Sequence, residues 1–190
     1  FAEEMRTYTS HPVVIVEPAP HLAAVCREKG FAVVEKFLEQ IETGDLPAGP
    51  KVFVSFELFE HLYRPDMFLR TLSGLMDPGD AFIFTTLSGV GIDIQLLWEH
   101  SKSVSPPHHL NFFTPQSVAR LLARTGFETV RVGTPGKLDI DILFNNKHLV
   151  QDRFWKTFLD TADADTRSAW QKIVSDTGWS SHMMVVCRKP

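Results

Sequence analysis

Val13-Val14-Ile15-Val16-Glu17-Pro18-Ala19-Pro20 is the stretch that decides the fold class. Four aliphatic residues in a row, all β-branched and closed by Glu17-Pro18, read as a short strand buried on both faces, as in a parallel sheet. Pro20 then opens a helix with Leu22, Ala23 and Cys26 on one face and Gly30 as its stop. Phe31 to Val34 is a second strand. A polar loop around Gly44, Pro47, Gly49 and Pro50 leads to a third, Lys51 to Ser55.

The same alternation runs to the end of the chain. Phe68, Leu72, Leu75 and Met76 form one apolar stripe, and Asp77-Pro78-Gly79-Asp80 turns sharply into a strand over Ala81 to Thr86. An irregular stretch follows. Thr114-Pro115 then reads as an N-cap and first helical position, with Val118, Leu121 and Leu122 as the buried face and Gly126 as the end. Phe127 to Val132 reads as a strand, residues 151–175 as two helical pieces, and His182 to Arg188 as a last strand. This pattern predicts one α/β domain over residues 1–190. Its sheet is doubly wound and mostly parallel, with helices on both faces.

Composition narrows the classes. Among 190 residues, 44% are hydrophobic and only 22% charged, with 15 Phe and 4 Trp, which excludes a disordered chain. Two cysteines, Cys26 and Cys187, exclude a disulfide scaffold and a multi-Cys zinc framework, and they suit a reducing, cytoplasmic compartment. A net charge of −4 provides no global attraction to nucleic acid or anionic membrane. No apolar stretch approaches the roughly 20 residues that span a bilayer.

Ligands of open α/β sheets bind beyond the carboxyl ends of the strands. Glu17 stands at such an end, and a carboxylate's two oxygens match the vicinal diol of a ribose. In nucleotide-binding sheets that acid follows a Gly-rich turn by about 20 residues. Counting back places the turn at or before Phe1, so the turn and a first strand are expected upstream. A sheet lacking that strand would leave two edges unpaired.

Glu57, Glu60 and His61 would share one face of a helix and converge on a cation or on acid/base chemistry. Ser105-Pro106-Pro107-His108-His109 places two imidazoles on a stiff loop at the same side of the sheet. In bland alternatives, Glu17 is a solvated acid, Glu60 and His61 brace a loop, and one of the two histidines only packs.

At these residues the chain resembles the class I S-adenosylmethionine-dependent methyltransferases, in particular the group that includes ubiquinone-biosynthesis O-methyltransferases. The matching pieces are Val14 to Pro18, Ser55-Phe56-Glu57 with Glu60-His61, Leu75 to Asp80, His109 to Pro115, and Leu121 to Phe127. The resemblance implies a seven-stranded sheet with an antiparallel last strand and S-adenosylmethionine as cofactor. It places Glu17 on the ribose, Pro18 and Ala19 beside the adenine, and Ser55, Phe56 and Glu57 along the methionine portion. Phe37 stands about where an acid often meets the adenine, with Glu35 nearby.

Some relatives hold a divalent metal on a Glu-x-x-Glu-His motif and a later histidine, here Glu57, Glu60, His61 and His109. Many carry the Glu-His pair without a metal known to be essential, so the metal is the minority expectation. The expected activity is O-methylation of a small-molecule or sugar hydroxyl. His109 would be the base, then His108, with His61 beside the cofactor or metal, residues 88–113 a substrate lid, and 139–178 a helical insertion. The aromatic periodicity of that insertion suits packing on the sheet or a homodimer contact. Two alternatives stand beside it: an NAD-dependent oxidoreductase, for which Glu17 would serve equally, and a non-catalytic binding module.

Overall fold

A computed structural model describes residues 1–190. In chain order it contains α1 (Ala2–Tyr8), β1 (Val14–Val16), α2 (Pro20–Glu28), β2 (Ala32–Val34), β3 (Val52–Ser55), α3 (Pro65–Leu75) and β4 (Ala81–Leu87). Then come α4 (Ile92–Leu97), α5 (Pro115–Arg124), β5 (Glu128–Gly133), α6 (Asp139–Asn145), α7 (Arg153–Thr161), α8 (Ala164–Asp176) and β6 (His182–Arg188). No helix is long and apolar enough to cross a membrane.

Local chemistry places the boundaries. In α5, Thr114 Oγ1 accepts the Ser117 N–H (3.1 Å) and Ser117 Oγ accepts the Thr114 N–H (2.8 Å), a reciprocal cap that satisfies two end groups. Gly79 adopts φ +92° in the turn before β4. There the buried Asp80 carboxylate accepts N–H groups from Lys51 (2.7 Å) and Asp77 (2.9 Å), which joins the starts of β3 and β4.

The strands form two ladders, β1-β2 and β3-β4-β6-β5. β1 pairs parallel with β2, β3 pairs parallel with β4, and β6 runs antiparallel to both β4 and β5. β5 therefore points the same way as β3 and β4, so only the last strand is reversed, as expected. Residues 1–190 contain six strands in two ladders, one fewer than the seven that the resemblance implies. Within residues 1–190 the outer edge of β3 is unpaired, with Val52 62% and Val54 39% exposed.

The two faces of the β3-β4-β6-β5 ladder are covered to different depths. One face is sealed: Leu69 and Leu72 of α3 and Val118 and Leu122 of α5 pack with Phe59 and Phe127 over Phe82, Phe84, Met183, Val185 and Cys187. Phe59 stacks on Phe84 at 4.1 Å between ring centroids, and each such buried ring contributes roughly 2–3 kcal/mol. On the opposite face Ala81, Ile83, Met184 and Val186 are only partly buried. The physical reason is that α4, α6, α7 and α8 build a second core of their own, around Leu97, Ile140, Leu143, Val150, Leu159 and Val174. The stretch after β4 is also less irregular than its composition suggests, because it contains α4 and a 3₁₀ turn at Trp98–His100.

Candidate functional site

Glu17 follows β1 directly. Its N–H donates to Val34 O (3.1 Å), and its Oε1 accepts the Ala19 N–H (2.9 Å), so the half-buried carboxylate is fixed by the bend at Pro18. Phe37 lies exposed past β2, where its N–H is held by the Gln40 side chain (3.0 Å). The two charged residues beside it are already paired, Glu35 with Arg27 (2.7 Å) and Lys36 with Asp45 (2.7 Å). Neither offers a free group there. Phe1 packs edge-on against Phe56, with 4.5 Å between ring centroids.

The segment after β3 departs from the expected helix. Glu57 takes φ +47°, and its N–H reaches both Thr85 O (3.1 Å) and Thr85 Oγ1 (3.2 Å). A 3₁₀ turn follows at Phe59–His61, pulled inward by the fully buried Phe59. Glu57, Glu60 and His61 therefore do not share one helical face. Instead Glu60 is buried (2% exposed) and its Oε2 accepts the Thr86 hydroxyl at 2.9 Å. Glu57 turns to His182, with 3.3 Å between its Oε1 and Nδ1.

Their charges separate accordingly. The His182 imidazole holds Glu57 down at about 2, whereas burial, and then the nearby Glu57 charge, raises Glu60 above the ordinary carboxylate range. His182 is raised in turn, first by Glu57.

The histidine loop folds back onto this turn. Leu110 and Asn111 both donate N–H groups to Glu60 O (2.6 and 3.1 Å), and Asn111 Nδ2 donates to Phe59 O and Leu62 O (3.0 and 2.6 Å). His61 Nδ1 lies 2.9 Å from His108 O, and His109 Nδ1 lies 2.7 Å from Ser103 O. A carbonyl can only accept, so each Nδ1 is the donor, and in the neutral form of such a ring the lone pair lies on Nε2.

The two rings meet at 4.8 Å between centroids. One ligand atom each from Glu60, His61 and His109 lies within 4.8 Å of the others. Of the expected metal set, Glu57 is thus drawn away to His182. Of the expected bases, His108 contributes its carbonyl to the cluster and its exposed ring forms no hydrogen bond.

Sequence reasoning missed His182 and a buried acidic network beside it. Asp139, 2% exposed, accepts from Ser181 N (2.7 Å), Ser181 Oγ (3.0 Å), Ser180 Oγ (2.8 Å) and Gln171 Nε2 (2.7 Å). Asp93 in the first turn of α4 is 1% exposed, and its Oδ1 has no hydrogen-bond partner. Burial first, and then the Asp139 charge, pushes Asp93 up to about 6. Neither acid falls in any of the matched stretches of sequence. The only hint is their place in the first turns of short helices.

A family profile described as a methyltransferase domain matches residues 1–132. No curated protein sequence matches the chain. Among solved structures, an S-adenosylmethionine-dependent methyltransferase from Archaeoglobus fulgidus aligns with TM-score 0.61 at 13% identity, over 98% of this chain and 80% of its own. One from Mesorhizobium loti aligns at 0.57 and 13%, over 98% and 84%. The mycolic acid cyclopropane synthase CmaA1, crystallised with SAH and CTAB, aligns at 0.59 and 17%, over 99% and 74%. At these identities the likeness shows a common fold.

Proposed function

Because the chain belongs to the methyltransferase-domain family, we propose that it moves the methyl group of S-adenosylmethionine to a hydroxyl of a small molecule or sugar. Within the family we place it with the ubiquinone O-methyltransferase-like group, on Ser55-Phe56-Glu57, Glu60-His61 and His109 to Pro115. The observation that carries the cofactor reading is Glu17. One of its oxygens is pinned by a backbone N–H, so the carboxylate is oriented in advance at the end of β1. That oriented acceptor fits the two donor hydroxyls of a ribose diol, and the cofactor when bound supplies an electrophilic methyl on a sulfonium.

The remaining roles follow from placement. Pro18, Ala19 and Phe37 would flank the adenine, and Ser55, Phe56 and Glu57 would line the methionine portion. Residues 88–113 would close over the acceptor as a lid. Its two ends are pinched together where Ser88 pairs with Phe113 and Gly89 N–H donates to Phe113 O (2.7 Å). His109 is the proposed base, with His61 beside it, since both present an Nε2 lone pair. The spacing of Glu60, His61 and His109 favours a second reading, in which these three hold a divalent cation that lowers the pKa of the acceptor hydroxyl.

Calorimetric titration of S-adenosylhomocysteine tests the cofactor reading. Micromolar binding that weakens about ten-fold or more in Glu17→Ala is expected. Binding of NADH in its place would overturn it. For the base, His109→Ala must lose turnover, and manganese titration separates the two roles of the cluster.

A further inference from the structure

Glu57 is held more firmly than a strand-end acid needs to be. Its φ of +47° is unfavourable for a residue with a Cβ. Its N–H is locked onto Thr85, and its carboxylate is paired with His182 at 3.3 Å. The two side chains are 45% and 43% exposed, so the pair contributes little to stability. Its effect is on position. His182 is the one ion-pair partner of the Glu57 carboxylate, so without the imidazole nothing cationic fixes its direction. His182 lies outside residues 1–132, the part of the chain that the family profile describes.

We propose that His182 is a positioning residue for the amino-acid end of the cofactor: its imidazole holds the Glu57 carboxylate where it receives the α-ammonium group. The proposal rests on the cofactor reading above. An ammonium is the complement of a half-exposed carboxylate, and a charge-assisted hydrogen bond of that kind requires an oriented acceptor.

Calorimetry with two ligands tests it: S-adenosylhomocysteine, and methylthioadenosine, which keeps the adenosine and thioether but lacks the amino-acid end. His182→Gln should weaken S-adenosylhomocysteine about ten-fold while methylthioadenosine changes less than about two-fold. Glu57→Gln should lose a similar factor, and the double variant should lose no more than either alone. Circular dichroism checks folding, and His182→Asn serves if the Gln variant does not fold.

Unchanged S-adenosylhomocysteine affinity, or equal weakening of both ligands, would overturn the positioning role. So would a wild-type chain that binds the two ligands equally, since no group would then sense the amino-acid end. Wild-type protein that binds neither overturns the cofactor reading itself, before any variant is made.

Discussion

Asp93→Asn should stabilise the protein at neutral pH, and the pH dependence of the gain is the part that tests the reasoning. The Asp93 carboxyl is 1% exposed, has one oxygen without a partner, and lies near the buried Asp139 carboxylate. Its pKa is pushed from 3.8 to about 6. A rise of roughly two units at about 1.4 kcal/mol each means that ionised Asp93 costs the native state ~3 kcal/mol.

The sign follows from proton counts. Between those two values the native chain keeps a proton that the unfolded chain releases, so stability falls as pH rises through this window and levels off above it. Asparagine keeps the shape and removes the charge. Its amide brings a donor near Asp139, although imperfect hydrogen bonding should take back ~1 kcal/mol.

Urea denaturation at a series of pH values is the assay, with the slope as a check on two-state behaviour. The variant should be about 0.5–1 kcal/mol less stable than the wild type near pH 4 and exceed it by about 2 kcal/mol at pH 7.5, or ~4–8 °C in melting temperature for a domain of this size. A difference that stays constant from pH 4 to 7.5, or a variant less stable at pH 7.5, would refute the account of Asp93 as a buried ionised group.

Three further outcomes follow from packing. Gly91→Ala should cost more than ~4 kcal/mol and abolish soluble expression, because a Cβ there would collide with the Ser181 backbone rather than with a flexible tip. Thr114→Ala should lose ~1 kcal/mol in thermal unfolding, since it removes the cap that accepts the Ser117 N–H. Iodoacetamide on the native protein at pH 8, read by mass spectrometry, should label Cys26 and spare Cys187; Cys187 is fully buried and its thiol is pushed up to about 12.

The elements most legible in the sequence were those set by local chemistry. Thr114-Pro115 caps α5 as its residue types require, Asp77 to Asp80 turns into β4, and β6 spans His182–Arg188 as its alternation suggests. The position of Glu17 at the end of β1 was legible for the same reason, because a β-branched run closed by Glu17-Pro18 marks its own boundary. The expected burial of that run on both faces is corrected, since Val14 and Ile15 are only partly buried and Val16 is 41% exposed. The Glu57–His61 segment was not. Helical periodicity places the two glutamates and the histidine on one face, yet Phe59 gains more by entering the core, and Thr85 captures the Glu57 N–H. Tertiary burial therefore overrode the local pattern. Asp93 and Asp139 escaped for another reason: an acid in the first turn of a short helix looks like a surface charge even between aliphatic residues, and only the assembled fold shows that α4 and α6 bury both.

The absence of His182 from the expected site has a topological cause. Searching just after each strand is the right rule for parallel strands, because all of them point their carboxyl ends at one edge. β6 is reversed, so it brings its first residue to that edge and carries its last, the exposed Arg188, to the other. The register makes this concrete: His182 stands opposite Leu87, the last residue of β4, while Arg188 stands opposite Ala81, the first. In a sheet with one reversed strand, the ligand edge therefore includes the residue that begins that strand and those immediately before it. In this chain those are Ser180, Ser181 and His182, and all three are engaged, by Asp139 and by Glu57. A search that applied the reversal would have put His182 on the list of ligand-edge residues, together with Glu57.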